Sequence, residues 1–158
     1  MQEPSLEGCI IKKTLLSSHY LKPSVYNSNP NTPGARLRKA RIDKNMTIRD
    51  LATIAQIAPN NISLLETDKT KAKLHTLRRL SSALDAPVSY LGCFESLPED
   101  TLGQRISKAR HFHGLTKREL AATIGVNVKT LREWEQDKRQ PLQRYIGQLK
   151  TYMAILKN

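Results

Sequence analysis

The feature that most constrains the fold is an internal repeat. Two segments of this 158-residue chain match at a constant offset of 69 residues, and the alignment needs no gap. Among the identical positions, Arg36 pairs with Arg105, residues 39–41 with 108–110, Thr47 with Thr116, Arg49 with Arg118, residues 51–52 with 120–121, Glu66 with Glu135, and residues 68–69 with 137–138. A shared register over this length indicates a duplicated domain, and two copies are too few for a solenoid.

The distribution of charge divides the chain at the same places. Residues 34–91 hold eleven basic and five acidic side chains, residues 102–158 hold twelve and four, and residues 92–101 hold three acidic side chains only. We therefore predict an extended or partly disordered arm at 1–33, a first domain at 34–91, an acidic linker at 92–101 and a second domain at 102–158. The net charge of +12 favours a polyanionic partner, either nucleic acid or an anionic membrane.

Several classes of protein fit the sequence poorly. No apolar run approaches the roughly 20 residues that span a bilayer, and the N-terminus shows no signal-peptide pattern, so we expect a cytoplasmic protein without a membrane partner. Cys9 and Cys93 have no metal-ligand spacing. Because no nucleophile–base set, paired carboxylates or glycine-rich phosphate loop is recognisable, we expect no enzymatic activity, no cofactor, no metal and no small-molecule ligand.

Helical periodicity and capping residues predict short helices throughout, and nothing reads as a strand. In the second copy, Thr116 and Glu119 form a capping box, Gly125 ends that helix, and Asn127 caps the next one. The predicted helices of the second copy are 102–111, 116–124, 128–136 and a longer amphipathic helix at 142–156. Those of the first copy are 34–43, 47–55, 59–67, 74–84 and 87–91.

The third helix of the second copy presents one apolar and one polar face. At about 100° per residue, Leu131 and Trp134 share the apolar face, which favours a core role for Trp134. The opposite face carries Lys129, Arg132, Glu133 and Gln136. Such a face can be an ordinary solvated surface, but its position directly after a tight helix–turn–helix indicates a binding surface instead.

Two stretches of the second copy carry a family resemblance. TKRELAATIGV at 116–126 and LREWEQDKRQP at 131–141 closely resemble the helix-turn-helix of the phage repressor and Cro family, also called the XRE family. The first copy resembles the same family over 34–91, with Gln56 in place of the usual glycine and Ala72 in place of the usual loop proline. The resemblance implies an all-α fold of two tandem repressor-like domains, each with about five short helices.

The resemblance also implies roles for individual residues of the second copy. Its third helix would enter the major groove and read base edges, whereas flanking basic residues would contact phosphates. The implied base-reading residues are Asn127, Val128, Lys129, Arg132 and Glu133, and the implied phosphate contacts are Lys117, Lys138 and Arg139. The face calculation reaches Lys129, Arg132 and Glu133 independently of the family.

The first copy is expected to read DNA less sharply. None of its corresponding outward residues is charged; they are Asn60, Ser63, Leu64 and Thr67. Asn60 can pair with adenine, while Leu64 can meet a thymine methyl group or, equally well, contact protein. Its loop lysines Lys69, Lys71 and Lys73 would bind the DNA backbone.

Two predicted ion pairs and one pair of histidines each allow a structural and a functional interpretation. Arg41 with Glu66, and Arg110 with Glu135, occupy positions where the family often forms an ion pair, and we favour a structural role. His111 and His113 could suggest a metal site, but an exposed pair at a helix end is the better interpretation.

The sequence therefore predicts a sequence-specific regulator that binds double-stranded DNA, a repressor by resemblance, in the bacterial cytoplasm and associated with the nucleoid. One alternative is the antitoxin of a toxin–antitoxin pair. An RNA-binding or interaction module is disfavoured, because single-stranded RNA is usually bound by exposed aromatic side chains and aromatic residues are only 5% of the chain. The helix at 142–156 could form a homodimer interface, although we favour the interpretation that its apolar face closes the core of its own domain.

Overall fold

The computed structural model describes residues 31–157, and these residues are helical with no strand. The N-terminal arm predicted at 1–33 lies almost entirely outside them. Five α-helices form the first copy: α1 (Pro33–Asp43), α2 (Ile48–Ala55), α3 (Pro59–Glu66), α4 (Leu74–Leu84) and α5 (Val88–Leu91). A 3-10 helix, Phe94–Ser96, follows. The second copy contains α6 (Leu102–Phe112), α7 (Lys117–Ile124), α8 (Val128–Glu135), α9 (Gln143–Met153) and a 3-10 helix, Ala154–Lys157.

Capping residues set the helix ends where the sequence predicts them. Thr116 accepts from the backbone N–H of Glu119 while the Glu119 carboxylate accepts from that of Thr116, so the capping box is formed. Thr47 and Asp50 form the same box at α2. Gly125 ends α7 with φ of 79°, and its counterpart Gln56 ends α2 in the same left-handed region, with φ of 51°.

Each copy closes its own apolar core, as a helical domain of this size requires. In the first copy, α1 to α5 surround Leu51, Ile62, Leu80, Leu84 and Leu91, which are almost fully buried. In the second copy, α6 to α9 surround Ile106, Leu120, Leu131, Trp134 and Leu149. Trp134 therefore occupies the core position that its place on the apolar face of α8 predicts.

The last helix is shorter than the sequence predicts. The α-helix ends at Met153 and continues as a 3-10 helix, so α9 has 11 residues, the same number as α4 in the first copy. Leu149 and Tyr152 are buried in the second core, while Leu142 is exposed. Most of this apolar face thus closes its own domain.

The expectation that His111 and His113 are exposed is wrong. Both rings are half-buried, with His111 against Phe94 at 4.9 Å between centroids and His113 stacked on Tyr152 at 4.5 Å. Each ring also hydrogen-bonds a backbone carbonyl, that of Ser107 for His111 and that of Tyr152 for His113. Burial is the main cause that lowers the pKa of both imidazoles.

Candidate nucleic-acid interface

The helix–turn–helix of the second copy is built by local interactions at its turn. Gly125 takes the left-handed conformation, and nothing lies within 4 Å of a Cβ built at this position. Asn127 then caps α8, because its Oδ1 accepts from the backbone N–H of Lys129 at 2.8 Å. This oxygen of Asn127, a predicted base reader, is thus engaged in positioning the N-terminus of α8.

The two faces of α8 differ sharply in exposure. Leu131 and Trp134 are 0% and 2% exposed, so this face is fixed to the core. Lys129 and Arg132 are exposed on the opposite face, while Glu133 is half-buried. Val128 packs against the second core and is only partly accessible. Among the predicted base readers, Lys129 and Arg132 are therefore the two whose charged groups are free to meet a ligand.

The predicted phosphate contacts lie around α8. Lys138 and Arg139 are exposed in the loop after this helix. Arg139 Nη1 lies 3.9 Å from Glu133 Oε2, and Lys117 Nζ lies 3.3 Å from Glu135 Oε2. Both cations remain partly exposed, so each could contact a phosphate while it keeps its acidic neighbour.

A buried ion pair links α6 to the C-terminal end of α8. Arg110 Nε lies 2.6 Å from Glu135 Oε1, and Arg110 Nη1 donates to the carbonyl of Leu115 at 3.0 Å. The side chains of Arg110 and Glu135 are 7% and 4% exposed. The pair therefore fixes the end of the helix whose other face is offered to solvent.

The first copy repeats this pair. Arg41 Nε lies 2.6 Å from Glu66 Oε1, Nη2 donates to Oε2 at 2.9 Å, and Nη1 donates to the carbonyl of Met46 at 2.7 Å. The hydrogen bond to Glu66 raises the pKa of Arg41. In both copies the arginine thus joins the first helix, the following turn and the third helix at one point.

The helix α3 presents a face of different chemistry. Asn60 and Ser63 are exposed, Leu64 is half-buried, and the hydroxyl of Thr67 donates to the carbonyl of Ser63 at 2.8 Å. Ala58 occupies the N-cap position and makes no side-chain cap. The loop lysines Lys69, Lys71 and Lys73 are all exposed. This surface is cationic at its edge and uncharged at its centre.

The sequence analysis missed a glycine–aspartate contact that occurs in both copies. Gly34 N–H donates to Asp68 Oδ1 at 2.8 Å, and Gly103 N–H donates to Asp137 Oδ1 at 2.9 Å. A Cβ at Gly34 or Gly103 would overlap a backbone carbonyl oxygen of the third helix. Both residues of the contact are identical in the two copies at the 69-residue offset. This identity is the sequence feature from which the contact could have been predicted.

Two features that the sequence disfavours, a membrane-spanning helix and a metal site, can be examined in the described residues. Among residues 31–157, no helix combines the length and apolar character needed to cross a bilayer. In the same part of the chain, His, Cys, Asp and Glu side chains form no group of three or more that could hold a metal ion.

Comparison with known proteins identifies the family. A helix-turn-helix family model matches the chain twice, at residues 37–91 and 106–149, which together make up more than half of it. No curated protein and no solved structure matched the chain. The two matches fall on α1–α5 and on α6–α9, the segments that carry the duplicated motif. The chain therefore belongs to the XRE-type helix-turn-helix family of DNA-binding transcription regulators, in a tandem form.

Proposed function

We propose that this regulator recognises specific sequences in double-stranded DNA, with α8 as its principal reading helix. The observation that carries the proposal is the exposure of Lys129 and Arg132 on the face of α8 opposite the buried Leu131 and Trp134. A helix held by one apolar face and the Arg110–Glu135 pair can enter the major groove with its other face. Donors on that face can reach O6 and N7 of guanine.

The roles of the neighbouring residues follow from their surroundings. Glu133 can accept from cytosine N4, but it also faces Arg139, whose approach to a phosphate would orient the carboxylate. Lys117, Lys138 and Arg139 would supply phosphate contacts, which raise affinity without selecting a sequence. Asn127 and Val128 would act mainly by fixing the start of α8, and less by reading bases.

The first domain would read DNA more weakly. Asn60 can pair with adenine and Leu64 can meet a thymine methyl group, so its half-site would lean towards A·T pairs. The exposed Lys69, Lys71 and Lys73 would bind phosphates next to it. Unequal reading faces favour an asymmetric site for one chain, whereas a homodimer would favour a palindrome.

Repression is the proposed mode of action, because a protein that occupies promoter DNA through two binding domains can block transcription. A reporter promoter that overlaps the selected site should lose activity when the chain is expressed. A rise in reporter activity would instead indicate an activator.

The reading role of α8 is tested by selecting bound duplexes from a random library with wild-type protein and with two variants. Arg132→Ala should cost about 1–3 kcal/mol on the preferred site and relax one base position, because a base-edge contact is lost. Lys138→Ala should weaken binding to all sequences alike. Arg38→Ala, which removes an exposed arginine of α1, is the matched control and should change neither result. An unchanged motif for Arg132→Ala would contradict the proposal.

A further inference from the structure

Two consecutive arginines of α4 contact different domains. Arg79 Nη2 donates to the carbonyl oxygen of Gln56 at 2.6 Å and to its Oε1 at 3.1 Å, at the turn between α2 and α3. Arg78 instead reaches the second domain, where its Nε donates to the carbonyl of Gly114 at 2.5 Å and its Nη1 to Glu119 Oε1 at 2.8 Å. Its Nη2 also donates to Glu119 Oε2. The helix α4 thus contacts both helix-turn-helix motifs.

The form of the Arg78 contact distinguishes it from an ordinary surface ion pair. The guanidinium meets the Glu119 carboxylate with two nitrogens and a backbone carbonyl with the third. Bidentate pairs of this kind are stronger and more directional than single contacts between flexible side chains. Arg78 also lowers the pKa of Glu119 to about 2, so the carboxylate is ionised at neutral pH.

The connecting segment adds contacts to both domains. The Phe94 ring lies 4.9 Å from the His111 ring of α6, and Val88 of α5 lies beside Gly114. Glu95 pairs with Arg36 of the first domain, and Glu99 pairs with Lys108 of the second at 3.2 Å. The acidic segment between the domains is therefore attached to both of them.

The repeat indicates that Arg78 serves the contact between domains and not the fold of one domain. At the 69-residue offset its counterpart is Gly147, yet α9 still packs Leu149 into the second core. Glu119, the partner of Arg78, also differs from its counterpart in the first copy, Asp50. Asp50 caps α2 in the first copy, whereas Glu119 caps α7 and, being one methylene longer, also reaches Arg78.

We infer that Arg78 is a positioning residue that holds the two helix-turn-helix domains in one arrangement, so that a single chain recognises two half-sites at one fixed spacing. The inference rests on the proposed function. Each added base pair rotates one half-site by about 34° around the duplex, so two domains held together cannot follow an insertion, whereas domains on a free tether can.

The test is the spacing between half-sites in duplexes selected from a random library by the full chain. Two variants weaken the contact in different ways. Arg78→Gln removes the positive charge and the guanidinium that contacts both carboxylate oxygens. Glu119→Asp shortens the acidic side chain but keeps a helix cap, because Asp50 forms the equivalent capping box in the first copy. Arg38→Gln removes one exposed arginine of the first domain and is the control. Circular dichroism and Trp134 fluorescence verify that each variant is folded.

Wild type and Arg38→Gln should enrich two half-sites at a single spacing, with one chain per duplex by mass. Arg78→Gln and Glu119→Asp should enrich the same two half-sites at several spacings, and the preference for the best spacing should fall about tenfold, since a loose tether spreads the effective concentration over many separations. Should Arg78→Gln fail to fold, Glu119→Asp alone makes the comparison.

Three outcomes would overturn the inference while leaving the proposed function intact. These are an equally sharp spacing in the folded variants, a wild-type motif with only the half-site under α8, and two chains on each selected duplex. The absence of any enriched sequence for wild type would instead overturn the proposed function itself.

Discussion

At the scale of single residues, the ion pair of Arg110 with Glu135 is a place where one polar substitution should strongly destabilise the second domain. Both side chains are buried, so removing one partner leaves the other charge in a site that water hardly reaches. A buried pair need not stabilise a protein relative to an apolar pair of the same shape. Removing only one partner of the pair nevertheless lowers the free energy of unfolding strongly.

Glu135→Ala should therefore lower the free energy of unfolding by about 3 kcal/mol. Urea denaturation followed by the fluorescence of Trp134 measures this, because the only tryptophan of the chain lies in the second core. Glu133→Ala is the matched control and should cost less than about 1 kcal/mol, since Glu133 pairs with the exposed Arg139 at the surface. Equal effects of the two substitutions would show that the burial of Glu135 is not what matters.

The half-buried histidines predict a pH dependence. Because burial lowers the pKa of His111 and His113 in the folded state, protonation favours the unfolded chain. Stability of the second domain is then fully present above the ordinary histidine pKa of 6.5 and falls as the pH drops below it. Arg110 and Lys117, which face His111, lower its pKa further, while Glu135 opposes them.

Urea denaturation at pH 7.5 and 5.5, again followed by Trp134, should show the lower stability at pH 5.5. Replacing both half-buried histidines with glutamine should flatten this dependence. His75→Gln, which changes an exposed histidine of α4, should leave it as in wild type. A dependence that persists in the double variant would assign it to other groups.

At the scale of elements, a glycine has a different effect on stability at the end of a helix than inside one. Gly125 ends α7 in the left-handed region, whereas Gly147 lies inside α9 with ordinary helical geometry. In both places a Cβ would meet nothing within 4 Å. Because neither position has a steric obstacle to a Cβ, comparing substitutions at the two glycines isolates the effect of backbone conformation on stability.

Gly125→Ala should destabilise the second domain by about 1–2 kcal/mol, because an L-residue pays for a left-handed conformation. Gly147→Ala should stabilise it by about 0.5–1 kcal/mol, because alanine restricts the unfolded chain and favours a helix. Thermal unfolding of both variants gives the two signs directly. The same sign for both would mean that one of the positions has an unrecognised contact.

At the scale of the whole molecule, charge decides how the protein meets DNA. The net charge is +12, and the predicted phosphate-binding residues lie beside α3 and α8, the two proposed reading helices. Counterions released from DNA by these residues would make the affinity depend on salt. The six predicted residues are Lys69, Lys71, Lys73, Lys117, Lys138 and Arg139.

With about six phosphate contacts, the logarithm of affinity should fall against the logarithm of salt concentration with a slope of roughly −5. Fluorescence anisotropy on a labelled duplex measures this slope. Lys71→Ala should make it shallower by about one contact if the first domain also touches the backbone. A slope of half this size, unchanged in Lys71→Ala, would mean that only the second domain binds.

The sequence by itself determined the elements and their order. Helix ends depend on residues within about four positions, as at Thr116 with Glu119 or at Gly125, and the exposed face of α8 follows from the helical period. The duplication was visible because it keeps one offset throughout. These features are local or repeated, so they can be read without knowing how the helices pack.

Only the tertiary structure decided which distant residues meet. Arg78 and Glu119 lie 41 positions apart, and no pattern in the sequence marks either as a partner of the other. The burial of His111 depends on Phe94 in the segment between the domains, and the end of α9 at Met153 was not visible in its apolar period. Such contacts are set by the collective packing of many side chains. The free energy of any one pair is small compared with that of the whole core, so a pair cannot be predicted by itself.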